Sequence, residues 1–305
     1  MGASTWSWLA GVLLLQAAQY TEGAGGAGWT YSGDTGPDHW ANANNSCGGD
    51  SQSPINIQYS AATNMNYPAF TFQGYSSVPT GATMTLYNTG HAINVNLGGS
   101  GFSVSGGGLT GTYNTAQFHF HWGTAADLDA RGGTYPNLGD AVASGSPTAL
   151  AVLGFFLELD DTDNAGLNPI VSDIANVANA GNGSVFSSVF TFDSFLPANR
   201  SKFYRYSGSL TTPGCNEIVV WTVFEDTIKI SRNQLSALLG ATYYQAEGGN
   251  QPAAMANNWR PVQALNTRQV YRSFQKSGTW RMSPAWQVMA LGVLIAASFC
   301  PQCAP

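Results

Sequence analysis

Short runs of apolar and alternating residues fill most of the chain, and turn-forming residues separate them. Residues 84–87 and 92–97 alternate between apolar and polar side chains, as a half-buried strand does. Residues 150–157 are continuously apolar, which is typical of a strand buried on both faces. Residues 217–224 form another strand-like run. Clusters of glycine, asparagine and proline lie between the runs, so the pattern predicts a protein built mainly from strands.

Helix signals are few. Residues 168–175 and 231–239 have the composition of short helices, and Ser231 is a suitable N-cap for the second. No linker or repeat interrupts the body of the chain. We therefore predict one β-dominated domain over residues 28–276, an α+β fold with few helices.

Residues 117–123 carry the strongest chemical signal and read Gln-Phe-His-Phe-His-Trp-Gly. Side chains alternate along a strand, so Gln117, His119 and His121 would share one face while Phe118 and Phe120 anchor the other. Two imidazoles on one face can bind one zinc ion, but a catalytic zinc usually has three protein ligands. The pattern indicates a metal site and leaves its third ligand open. A pair by itself is also compatible with a weak surface metal site.

Both ends of the chain are apolar. Residues 6–18 are followed by small residues, which is typical of a secretory signal peptide, here predicted to cover residues 1–22. The tail, residues 285–305, contains an apolar run that ends at Cys300. The run is shorter than the roughly 20 residues of a spanning helix. We predict a membrane-linked tail, either a lipid-anchor signal or a membrane segment.

Composition favours an extracellular protein. Charged residues make up only 9% of the chain, and the net charge of −6 argues against nucleic acid as a partner. In an exported chain, Cys47 and Cys215 are natural disulfide partners, because the other two cysteines lie in the tail. Three asparagines stand in the Asn-x-Ser glycosylation pattern: Asn44, Asn182 and Asn199.

Six segments, in order, resemble the α-class carbonic anhydrases: residues 29–40, 47–57, 88–91, 117–123, 209–215 and 258–261. The resemblance implies a zinc enzyme that hydrates CO2 to bicarbonate. It also implies a large, twisted, mostly antiparallel sheet with short peripheral helices. The disulfide of the secreted members falls on Cys47 and Cys215.

The resemblance also implies a role for each matching residue. His119 and His121 would bind zinc, and Gln117 would hydrogen-bond one of these ligands. His91 would shuttle protons to solvent, and Thr211 would orient the attacking hydroxide. The remaining matches concern the substrate: Thr212 would lie beside bicarbonate, and the apolar CO2 pocket would be lined by Val152, Leu210 and Trp221.

One family feature has no counterpart. The chain has only four histidines, His39, His91, His119 and His121. The family's third zinc ligand lies on an adjacent strand, whereas residues 124–134 are polar and poor in strand formers. We predict a deletion between Trp122 and Tyr135, which removes the third histidine, the glutamate that orients Thr211, and a strand near the sheet centre. In the alternative alignment Asp140 replaces the histidine, and aspartate can bind zinc.

Three interpretations therefore stay open, and they differ in whether the protein is an active enzyme. It is a secreted or membrane-tethered homologue whose CO2 hydration is weakened or lost. It is a catalytically silent extracellular module that binds another protein or a matrix. Or it is a mis-assembled or alternatively spliced product of an active enzyme.

Overall fold

A computed structural model describes residues 28–122, 143–244 and 253–275, together with the backbone of residues 291–299. The described residues form thirteen strands of one sheet. In chain order the strands are β1 (Thr63–Asn64), β2 (Phe70–Gln73), β3 (Thr83–Asn88), β4 (Ile93–Gly98), β5 (Ser103–Gly106), β6 (Tyr113–His121), β7 (Leu150–Asp160), β8 (Gly183–Val185), β9 (Phe203–Gly208), β10 (Val219–Phe224), β11 (Ile228–Ser231), β12 (Tyr271–Arg272) and β13 (Leu291–Phe299).

Helices are short and few among the described residues. The α-helices are α1 (Trp40–Ala43), α2 (Asn168–Asp173) and α3 (Arg232–Gly240). Single turns of 3₁₀ helix occupy Gly33–Thr35, Asn45–Gly48, Ala165–Leu167, Ile174–Val177 and Phe192–Ser194. This architecture confirms the predicted mostly β fold with short helices.

The order of the main sheet is β1-β12-β9-β10-β7-β13-β6-β4-β3-β8. Strand β11 also pairs with β7, and β5 joins β2 to β6. The parallel pairs are β1 with β12, β7 with β10 and β7 with β11, and the other pairs are antiparallel. The sheet is thus mostly antiparallel, as the resemblance implied.

Several local predictions coincide with observed elements. The alternating segments become β3 and β4, and the continuously apolar segment becomes β7, whose residues 150–155 are all buried. Helix α3 begins after Ser231, whose hydroxyl accepts from the backbone N–H of Gln234 while the Gln234 side chain accepts from the Ser231 N–H. This capping box confirms the predicted helix start.

One strand was not predicted. The C-terminal apolar run supplies β13, which lies between β6 and β7 near the middle of the sheet. In the part of the chain that the structure describes, no helix is long and apolar enough to cross a membrane. The predicted signal peptide and the rest of the tail lie outside the described residues, so both remain predictions.

Candidate metal centre

The two candidate zinc ligands lie at the C-terminal end of β6. His119 and His121 share one face of the strand and are each 4% exposed. Phe118 and Phe120 occupy the other face and are fully buried. The Phe118 ring packs against Phe120 and, at 5.5 Å between centroids, against Phe192. The aromatic core therefore anchors the strand from behind, and the histidines keep a defined position on its front.

Each imidazole is oriented through its Nδ1 atom. His119 Nδ1 donates to Gln117 Oε1 at 3.0 Å, and His121 Nδ1 donates to the backbone carbonyl of Asn258. Since a carbonyl oxygen can only accept, these bonds place the protons on Nδ1 and leave both Nε2 lone pairs for a metal ion.

The two Nε2 atoms converge to a separation of 3.2 Å. Tetrahedral geometry with zinc–nitrogen bonds of about 2.0–2.1 Å puts two nitrogens about 3.3–3.4 Å apart. The distance and the tautomers thus both fit two ligands of one zinc ion.

A third protein ligand is not found in the described residues. Among them, no group of three or more histidine, cysteine, aspartate or glutamate side chains could hold a metal ion. The register of β13 places Leu294 opposite His119 and Gly292 opposite His121, and neither residue type has a metal-binding side-chain atom. Asp140 and the segment of the predicted deletion, apart from Trp122 itself, lie outside the described residues.

His91, the candidate proton shuttle, lies in the turn before β4. Its ring stacks on Trp29 with 3.8 Å between centroids, and its Nε2 donates to the Trp29 carbonyl at 2.9 Å. The Tyr31 ring lies 6.5 Å from the His91 ring and 6.2 Å from the His121 ring. The Tyr31 ring thus lies close to both the candidate shuttle and one histidine of the pair.

The candidate substrate residues lie on β7, β10 and the loop before β10. Val152 and Trp221 are directly paired across β7 and β10, and both are buried. Trp221 Nε1 donates to the Ser209 carbonyl at 3.0 Å, which ties the strand to the start of the loop. Leu210, Thr211 and Thr212 follow in that loop and are buried as well. Val152 lies two strands from β6, because Ala296 of β13 pairs with both Val152 and Gln117.

Cys47 and Cys215 form the predicted disulfide, which links the loop before β10 to residue 47. The backbone N–H of Cys215 donates to the Thr212 carbonyl at 2.9 Å. The side-chain amide of Gln52 donates to the Cys215 carbonyl at 3.1 Å. The loop is therefore fixed to the N-terminal part of the domain by covalent and polar contacts.

Sequence reasoning did not single out Arg260 or Asn258, although both belong to the closing segment 258–261. Arg260 donates to Gln52 Oε1 at 2.7 Å and to the carbonyls of Ser53 and Cys47 at 3.0 and 2.8 Å. Burial lowers its pKa to about 10. Arg260 therefore holds residues 47–53, which in turn hydrogen-bond to the loop before β10. Asn258 is fully buried beside the histidines, and the only signal for either residue was the motif itself.

The three candidate glycosylation sites differ in exposure. Asn182 and Asn199 are exposed, and Asn44 is half-buried with its side-chain oxygen accepting from the Ser46 N–H. The Asn199 amide donates to Asp226 at 2.8 Å. Glycosylation at the three positions remains a prediction.

Comparison with known proteins gives one consistent result. The family model of the eukaryotic-type carbonic anhydrases matches residues 35–133 and 130–274. The two matched segments overlap at residues 130–133, inside the stretch where the sequence predicts a deletion.

Individual similar proteins belong to the same family as the matched model. The chain is 33% identical to carbonic anhydrase 15 of Mus musculus over 292 residues, which cover 87% of this chain and 88% of the relative. It is 34% identical to carbonic anhydrase 12 of Homo sapiens over 82% of this chain and 74% of the relative. It is also 34% identical to carbonic anhydrase 4 of Oryctolagus cuniculus over 78% and 80% of the two chains.

Proposed function

This chain belongs to the eukaryotic-type carbonic anhydrase family, whose reaction is zinc-dependent hydration of CO2, and we propose that it retains a weakened form of that activity. The geometry of His119 and His121 supports this proposal. Their Nε2 atoms lie 3.2 Å apart, and a hydrogen bond at Nδ1 orients each imidazole. The chain thus keeps two zinc ligands and their supporting hydrogen bonds but offers no third ligand among the described residues. Two protein ligands hold zinc more weakly than three.

The remaining chemistry is assigned to residues of this chain. Zinc, when bound in this family, lowers the pKa of its water from 15.7 to about 7. Val152, Leu210 and Trp221 would hold CO2, since their buried apolar surfaces suit a nonpolar substrate. Thr211 would orient the nucleophile, and Thr212 would contact bicarbonate. His91 would carry the proton to solvent because imidazole titrates near neutral pH.

We also propose that the protein acts outside the cell. A disulfide between buried cysteines persists in oxidising compartments, and Cys47 and Cys215 form one here. A signal peptide over residues 1–22 and glycans on Asn44, Asn182 and Asn199 are parts of the same proposal. Its partners would be CO2 and bicarbonate. The membrane link predicted for the tail is not needed for this proposal.

The test is CO2 hydration by the purified full chain at increasing zinc concentration. A weakened enzyme gives little activity without added zinc and a saturable rise with it. His119→Ala is the matched control, because it removes one of the two ligands and should abolish the rise.

Two other outcomes contradict the proposal in different ways. Full zinc occupancy that resists chelators, together with fast hydration, would mean that a third ligand lies outside the described residues. No hydration by protein saturated with zinc would favour the silent extracellular binding module instead.

A further inference from the structure

Strand β13 is the last described element of the chain, yet it lies between two strands from the middle of the sequence. It forms eight residue pairs with β6, from Gly292 opposite His121 to Phe299 opposite Tyr113. It forms eight more with β7, from Leu291 opposite Leu157 to Ser298 opposite Leu150. Both ladders are antiparallel. Residues 292–298 are therefore paired along both edges of the strand.

Among the described residues, no other strand pairs with both β6 and β7. Strand β6 pairs otherwise with β4 and β5, and β7 pairs otherwise with β10 and β11. Removing β13 would leave the facing edges of β6 and β7 about 9–10 Å apart, twice the usual strand spacing and too far for direct hydrogen bonds. We call this gap, between Tyr113–His121 and Leu150–Leu157, the strand slot.

An empty slot would be costly because its walls are buried. Phe118 and Phe120 of β6 and Leu153 and Phe155 of β7 are at most 1% exposed. A buried backbone N–H or C=O without a partner is strongly destabilising. The slot therefore requires a strand that supplies hydrogen bonds on both sides.

The sequence of β13 has the properties that such a strand needs. It reads Leu-Gly-Val-Leu-Ile-Ala-Ala-Ser-Phe, without a charged residue and without proline. Every residue can therefore donate a backbone hydrogen bond, and an apolar composition suits a strand in the middle of a sheet. Strand β13 is nine residues long, the same length as β6. Pro284 and Pro301 flank the apolar run on either side.

We propose that the slot between β6 and β7 is a strand-accepting site whose occupant is residues 291–299 of the same chain. The recognition is β-augmentation: backbone ladders provide affinity on both edges, and the antiparallel register selects the segment. The same nine residues cannot pair in the sheet and enter a membrane at once. Occupation of the slot therefore competes with the membrane link predicted for the tail.

Hydrogen exchange on the wild-type full chain tests occupancy without a mutation. The amides of residues 292–298 should exchange as slowly as those of β6 and β7, by orders of magnitude slower than in an unfolded chain. Fast exchange of residues 292–298 beside protected β6 and β7 amides would overturn the proposal.

A proline pair tests whether the strand supports the sheet. Ile295→Pro removes a central N–H from β13 and should lower the midpoint of denaturant unfolding and the protection of residues 117–121 and 151–157. Gln287→Pro lies in the tail before β13 and should change neither. Equal effects of the two substitutions would contradict the proposal.

A peptide tests the site itself. A synthetic peptide of residues 291–299, added to full-length Ile295→Pro protein, should raise its thermal midpoint saturably, and a peptide with proline in place of Ile295 should not. Failure of the first peptide to stabilise the variant would count against a strand-accepting site. A wild-type dimer whose unfolding depends on protein concentration would show that a second copy's tail fills the slot, and would overturn occupancy within one chain.

Discussion

The backbone carbonyl of Asn258 accepts a hydrogen bond from Nδ1 of His121, 137 positions earlier in the chain. The Asn258 side chain extends this connection. Its Nδ2 donates to the carbonyls of His91 and Phe120 at 3.0 and 3.2 Å, and its Oδ1 accepts from the Trp122 N–H. One asparagine thus links the candidate shuttle turn to the end of β6.

Asn258→Ala should therefore destabilise the protein and the metal site together. The substitution leaves the buried backbone groups of Trp122 and Phe120 without this partner, which should lower the free energy of unfolding by about 2–3 kcal/mol. Denaturant unfolding and zinc affinity are the measurements. Asn257→Gly is the control, because Asn257 is exposed and glycine accepts its φ of +54°. Equal losses in the two variants would contradict a specific role for Asn258.

Gln117→Ala should weaken zinc binding with little effect on folding. Gln117 Oε1 accepts from His119 Nδ1, and loss of such a supporting partner typically costs about 10–100-fold in metal affinity. Competition with a chelator measures the change. Gln117→Glu keeps an acceptor at this position and should retain most of the affinity. If alanine and glutamate behave alike, this hydrogen bond does not support the ligand.

Leu294→His should supply a third zinc ligand, which the described residues lack. Leu294 lies at the register position opposite His119, and residues paired in this way share a face of the sheet. Structural zinc sites with four ligands bind with about 10–16 kcal/mol, so one ligand contributes about 3 kcal/mol, or roughly a hundredfold in affinity.

Ile295→His is the matched control for that substitution. Ile295 is the next residue along β13 and pairs with Phe118, so it belongs to the opposite face. Calorimetric zinc titration should show a gain for Leu294→His alone. A gain for both variants, or for neither, would show that β13 does not have this register in solution.

Asp140→Ala separates the two alignments of the metal segment. If the deletion is real, Asp140 is a surface residue and its loss should leave zinc content unchanged. If Asp140 is the replacement ligand, the substitution should strip the metal. Elemental analysis after dialysis against chelator measures the difference, with Asp129→Ala, from the preceding polar stretch of residues 124–134, as a control.

Local sequence patterns predicted the secondary structure correctly where interactions between residues near in sequence determine it. Continuous apolar residues identified β7, a capping box identified the start of α3, and strand alternation placed His119 and His121 on one face. The Cys47–Cys215 bond followed from the cysteine count and the resemblance.

The roles of Asn258 and of residues 291–299 could not be predicted in the same way. Asn258 acts through partners far away in the chain, and a lone asparagine has no periodicity that reveals them. The apolar run of the tail fits a membrane-linked segment as well as a buried strand. Only the gap between β6 and β7 distinguishes these uses, and that gap is a property of the folded sheet.

The position of β13 also sets a condition on how the protein is made. Its pairing partners are synthesised long before it, so the centre of the sheet cannot close until residues 291–299 have left the ribosome. Such distant pairing is intrinsically slow. Until it occurs, the facing edges of β6 and β7 remain open to strands of neighbouring nascent chains. Residues 291–299 of each chain must therefore pair with their own sheet before a strand of another chain does.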